Sequence, residues 1–226
     1  MRPSWILATV LCLAPSWARA HELWFLPDPG ADRTRTRLYF GDSPAPGEAE
    51  RVAEIAQTKA WIDGKPLDVR RLPEGLEVRL PTVPPRIISA YADRGVVDYQ
   101  GDSFIIYLAA YAQSRPLARD EAPKLGLGDD QLRLLLVSRD GQPPVVRAYR
   151  EGKPAAGVAV KVFRGTAEST EIRADDQGEI PCPDLKRGGV SLLAQVVAKT
   201  PGRRDGKPYS EIRYKATLTL VPEASR

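Results

Sequence analysis

The stretch "GKPAAGVAVKVF" (152–163), followed by "TEIRADDQGEIPCPDL" (170–185), decides how the fold is read. Val158, Val160 and Val162 alternate with Ala159, Lys161 and Phe163, the period of two that gives a strand distinct faces. Gly152-Lys153-Pro154 ahead of it and Asp175-Asp176-Gln177-Gly178 after it are turn chemistry, combining free and fixed φ with short polar side chains. A strand bounded this closely by turns belongs to antiparallel all-β packing.

Reading outward, "QLRLLLVS" (131–138), "PVVRAYR" (144–150), "VSLLAQVVA" (190–198) and "EIRYKATLTLV" (211–221) are further strands. Asp140-Gly141 separates two of them, and "GRRDGK" (202–207) is a turn between others. Toward the N terminus, "TRTRLYF" (34–40), "GLEVRLP" (75–81) and "RIISAYA" (86–92) read the same way. "GDSPAPGE" (41–48) is a turn-rich loop, and "KAWIDGKPLDV" (59–69) is a hairpin about Asp63-Gly64. One segment differs. In "GDSFIIYLAAYAQSRP" (101–116), Phe104, Tyr107, Leu108 and Tyr111 recur at helical spacing, with Asp102 or Ser103 placed to cap and Pro116 to stop. This predicts a short helix near 102–114, with its aromatic stripe in the core and Asp98 and Asp102 as start-of-helix acids. "PLARDEAPKLGLGDD" (116–130) is polar and holds two prolines, the composition of an inter-domain connector. The expected fold is mainly β, in two β-sandwich-like domains. The first spans 21–115 and carries the helix; the second, immunoglobulin-like in its strand pattern, spans 131–226.

The first residues predict export. "MRPSWILATVLCLAPSWARA" has an early charge at Arg2, an apolar run from Trp5 to Ala14, and a small-residue site at Ala18-Arg19-Ala20. The run is too short to cross ~30 Å of hydrocarbon. Thr9, Val10 and Leu11 are not the small-residue box a lipid anchor on Cys12 needs. Cleavage after Ala20 leaves no membrane span and makes His21 the first residue. His21 is the only histidine in 226 residues.

A histidine at a free N terminus offers two nitrogens, the α-amine and imidazole Nδ1, which close one chelate ring on a metal. Glu22 is the neighbouring candidate ligand. If 21–26 is a strand, however, His21, Leu23 and Phe25 share one face and Glu22, Trp24 and Leu26 the other. The plainer reading is a tolerated polar residue at a frayed end. Both remain open on the residues alone.

Composition narrows the classes. Lys+Arg is 33 against Asp+Glu 29, and two of those arginines, Arg2 and Arg19, belong to the leader. The near-balance, without a basic patch interleaved with aromatics, is no nucleic-acid footprint. Cys182 is the one thiol left after processing, so no intramolecular disulfide is expected and the cysteine is structural or incidental. No G-x-S-x-G elbow, Cys/His pair or phosphate loop is present, and the copper oxygenases that share an N-terminal histidine use a second one. A catalytic role is not expected, and no catalytic residue is assigned. The remaining classes are a metal-binding accessory and a metal-independent binding module of the envelope that uses the sandwich loops.

The turns and strand of 152–185 resemble the transthyretin-like and carboxypeptidase-regulatory-like sandwich, a scaffold that carries no function by itself. Taken with the leader, Ala20-His21-Glu22-x-Trp24 and Pro27, nearly the whole processed chain resembles a bacterial envelope family. Its members are labelled periplasmic domains of unknown function or nickel-uptake-transporter-like proteins. The resemblance implies a periplasmic accessory for divalent-metal uptake, serving an envelope metal transporter or another periplasmic or outer-membrane protein. A metal-binding accessory of this kind would carry Ni²⁺, Co²⁺ or Cu²⁺; the family label points to nickel, whereas a nitrogen chelate intrinsically favours Cu²⁺ over Ni²⁺. Relatives tend to carry another histidine on the strand matching "AQVVAKT", where Ala198 and Lys199 stand here. Only His21 carries over.

Overall fold

The computed structural model describes residues 21–27, 34–81, 86–122, 132–165, 168–184 and 189–221. The expected leader (1–20) and residues 123–130 of the expected connector lie outside the described residues. The chain runs through β1 (Glu22–Pro27), β2 (Arg35–Gly41), a 3₁₀ helix (Ala49–Ile55), β3 (Lys59–Ile62), β4 (Lys65–Leu67), β5 (Val69–Leu72) and β6 (Gly75–Arg79). Two long strands follow, β7 (Ile87–Tyr99) and β8 (Asp102–Gln113). Then come β9 (Leu132–Arg139), β10 (Gln142–Arg150), β11 (Lys153–Pro154), β12 (Ala159–Arg164), β13 (Glu168–Arg173) and β14 (Glu179–Pro181). The last are β15 (Val190–Ala198), β16 (Gly202–Arg204), β17 (Lys207–Tyr209) and β18 (Glu211–Leu220). The protein is mainly β and sandwich-like.

Its backbone is one eight-stranded sheet in the order β13-β12-β15-β18-β8-β7-β3-β4. A sheet of β1-β2-β6-β5 covers one face, and β9 with β11-β10-β14 covers the other. Both faces of the middle layer are therefore core. Phe104, Ile106, Leu108, Ala110 and Ala112 of β8 join Leu23, Phe25, Leu38 and Phe40 on one side. Tyr107, Ala109 and Tyr111 join Leu134, Val146, Leu192 and Leu218 on the other.

This corrects the helix expected near 102–114: that segment is β8. A strand buried on both faces carries no polar alternation, so "FIIYLAAYA" satisfies a helical period as readily as a strand period. The Gln100-Gly101 turn, with φ of 53° and 87°, folds β7 back onto β8 in a two-residue hairpin that favours positive φ at both positions. Asp98 and Ser103 face each other across that hairpin. The Ser103 hydroxyl donates to the Asp98 carboxylate at 2.5 Å, so Asp98 braces a hairpin and caps no helix.

The two halves of the chain share the middle sheet. β8, from before the expected connector, pairs in parallel with β18, from after it, over Phe104–Gln113 and Glu211–Leu220. Leu117, at the start of the connector segment, is buried and bridges Val137; its N–H donates to the Leu136 carbonyl at 3.0 Å. The expected hairpin at Asp63-Gly64 is present, with Ile62 opposite Lys65.

Candidate functional site at the start of the first strand

β1 is held on both sides. Leu23 and Phe25 enter the core formed with β2, β6 and β8, while Trp24 packs edge-on to Phe163 at 5.3 Å and beside Leu193. The alternation expected for 21–26 is the one observed. Each large apolar side chain so buried contributes about 1.5–3 kcal/mol, so this strand is anchored in the core. Trp24 Nε1–H also donates to the Gly41 carbonyl at 3.0 Å.

Register brings the site together. β1 and β2 pair antiparallel with Glu22 opposite Gly41. One step further along the same ladder sets His21 against Asp42, and His21 Nδ1 lies 3.2 Å from Asp42 Oδ1. The imidazole rests against the Phe40 ring, 5.2 Å between centroids, with its side chain 18% exposed. The 3₁₀ helix, fixed by buried Val52 and Ile55, delivers the third member. Arg51 Nη1 is 2.6 Å from His21 Nδ1 and also contacts Nε2. Arg51 Nε in turn is 3.3 Å from Glu54 Oε1 and 4.0 Å from Glu48 Oε2. Arg94 pairs with Glu54 and lies over the Phe40 ring, 4.9 Å from its centroid. Asp42, Arg51, Glu48 and Glu54 thus surround one imidazole with charge of both signs.

Burial holds the His21 pKa below its ordinary value of 6.5. The Asp42 carboxylate opposes that, Arg51 adds to it, and Glu48 and Glu54 oppose it again. Burial, the largest of these effects, favours the neutral imidazole.

Glu22, the other candidate ligand, turns to the opposite face. It is 5% exposed, and Lys215 Nζ of β18 donates to its Oε1 at 2.6 Å. Thr217 Oγ1 donates to the Leu23 carbonyl at 2.5 Å on the same seam. Burial pushes the Glu22 carboxyl up to about 7 against the pull of Lys215, and burial holds the Lys215 ammonium down against the pull of Glu22. Desolvation governs both partners, as it does for ion pairs removed from water.

Cys182 is half-buried against the core on the other side of the middle sheet. Its thiol is free, pushed up by burial, and donates to the Pro183 carbonyl at 3.6 Å.

Among the described residues no three His, Cys, Asp or Glu side chains are grouped to hold a metal. A donor set here consists of His21 Nδ1, the Asp42 carboxylate and the α-amine that cleavage after Ala20 would free. Two nitrogens and one carboxylate oxygen fit a borderline first-row dication, provided Arg51 gives up the ring nitrogens. Sequence reasoning missed Asp42 and Arg51. Pairing "HELWFLP" against "RTRLYFGD" would have found Asp42; Arg51 reaches the site from a helix that no periodicity announced. No protein-family model, curated protein or solved structure matches the chain.

Proposed function

We propose that the chain is exported, is cleaved after Ala20, and serves in the bacterial periplasm as a non-catalytic accessory for divalent-metal handling. The ion, Cu²⁺, Ni²⁺ or Co²⁺, is cargo carried to an envelope transporter. One observation carries this reading: the β1–β2 register sets His21 Nδ1 3.2 Å from the Asp42 carboxylate at the end of a strand buried on both faces. Chelation by a terminal histidine needs that end held still, because disorder would add an ordering cost to every binding event. Neutral imidazole is the form that binds, and burial favours it. Among first-row dications this set prefers Cu²⁺ over Ni²⁺, and delivery of Ni²⁺ would require the partner or metal supply to override that order.

The test is metal titration of the processed protein and of His21→Ala. Even outer-shell changes cost about 10–100-fold in affinity, so loss of the imidazole is expected to cost at least about tenfold. The metal-free melting temperature should stay near the parent's. Equal affinity in the variant would remove His21 from the site.

A second reading, a metal-independent binding module, is favoured by an open groove of about 660 Å³ between residues 150–159 and 195–196, with Arg150, Glu151 and Arg173 at its walls. It would account for ligand capture that metal chelators leave intact.

A further inference from the structure

Arg51 covers the ring that a metal ion would need to reach. Its Nη1 lies against both imidazole nitrogens of His21, the ring whose Nδ1 also faces Asp42. A guanidinium is always protonated and only donates, so beside the ring and its neighbouring carboxylates it supplies the positive charge a metal cation would bring. The same side chain has other seats within reach. Arg51 Nε is already 3.3 Å from Glu54 and 4.0 Å from Glu48, and the side chain is one-third exposed, so its outer end has room to turn. Its helix cannot follow, because Val52 and Ile55 are fixed in the core.

We infer that Arg51 is a gate on this site: its guanidinium covers the ring in the metal-free protein and swings onto Glu48 and Glu54 when a metal ion takes the imidazole. The inference rests on the metal-binding reading of His21 and adds to it a competing residue. The carboxylates that receive Arg51 keep its charge paired during the exchange, so opening costs a hydrogen bond to the ring rather than a bare buried charge. Arg94, on Phe40 and Glu54, shares the second carboxylate and stays in place. The consequence is reduced affinity in the resting protein and ready release. A carrier that hands its ion onward needs both.

Arg51→Met keeps the length of the stem and removes the charge. In Cu²⁺ titrations of the processed protein it is expected to bind about tenfold tighter than the parent or more, because a positive group within contact distance no longer opposes the ion. Arg51→Lys, which keeps a charge but loses the planar fork, should bind more tightly than the parent and less tightly than Arg51→Met. A second readout needs no metal. His21 is the chain's single histidine, so its acylation by diethyl pyrocarbonate, followed by mass and reversed by hydroxylamine, reports one ring. Arg51→Met should speed that reaction several-fold in metal-free protein. If parent and variants bind Cu²⁺ equally, or Arg51→Met binds more weakly, the gate is wrong while metal binding stands. If none binds Cu²⁺, the metal reading falls and the gate with it. The acylation rate then still shows whether Arg51 covers the ring.

Discussion

His21 and Glu22 are neighbours on one strand, yet they sit in opposite kinds of electrostatic environment. His21 opens onto a cluster of Asp42, Arg51, Glu48 and Glu54 that water reaches; the Asp42 side chain is 53% exposed. Glu22 is sealed between layers with Lys215, and burial works against the charge on both. An ion pair in reach of water is worth little to stability and can exchange partners, whereas a buried pair is costly to break and cannot. The strand therefore fixes Glu22 against Lys215 of β18 and presents His21 to the charged cluster.

That contrast makes graded demands. Lys215→Ala leaves the Glu22 carboxylate buried without its ammonium, and a loss of about 3–5 kcal/mol is expected in denaturant unfolding. The double variant Glu22→Gln with Lys215→Met removes both charges and should lose much less. A double variant as unstable as Lys215→Ala would show that packing, not charge, locks the strand.

The sealed pair also predicts a pH dependence. The Glu22 carboxyl lies at about 7 in the fold against an ordinary 4.5. For an acid raised by folding, the contribution to stability is complete below its unfolded pKa and is lost as pH rises through the folded one. Between about pH 4.5 and 7 the parent should lose up to about 3 kcal/mol relative to Glu22→Gln, which has nothing to titrate there. Parallel pH profiles for the two proteins would deny the shift.

On the open side the effects are small for stability and large for binding. Asp42→Asn should change unfolding by no more than about 1 kcal/mol, because the pair is exposed. It should still weaken metal affinity by about tenfold, the effect of an outer-shell change or more. Smallest of all is Cys182→Ser. The thiol is in no disulfide and is only half-buried, so unfolding should shift by about 1 kcal/mol or less and metal affinity should stay within a few-fold. A large loss of affinity there would make Cys182 a soft ligand and direct attention to Cu(I).

Much of the fold was legible because most strands announce themselves locally. Val160 and Val162 face the core as their alternation requires, and Asp63-Gly64 turns where its residue types allow. β8 was not legible. Its two buried faces follow from layers supplied by β1 at one end of the chain and β9 beyond the middle, and nothing within 101–116 records that. The site divided in the same way. His21 stood out as a lone residue type, and the faces of β1 were correct from alternation alone. Asp42 depended on a long-range pairing register, and Arg51 on a short 3₁₀ helix anchored by Val52 and Ile55. Lys215, 193 positions from Glu22, lay beyond any local signal.

The central claim is that His21 chelates through both its imidazole and a freed α-amine. The most direct measurement compares the protein beginning at His21 with one carrying a single extra alanine ahead of it. The extension turns the amine into an amide, a poor ligand near neutral pH, and leaves every side chain in place. The extended protein is expected to lose most of its Cu²⁺ affinity while melting like the processed one in the absence of metal. Acid should weaken the processed protein too, since protons compete for nitrogens with ordinary pKa values of about 6.5 and 7.7–8.0. Equal Cu²⁺ affinity in the extended and processed proteins would contradict the claim and leave His21 a side chain that merely packs against Phe40.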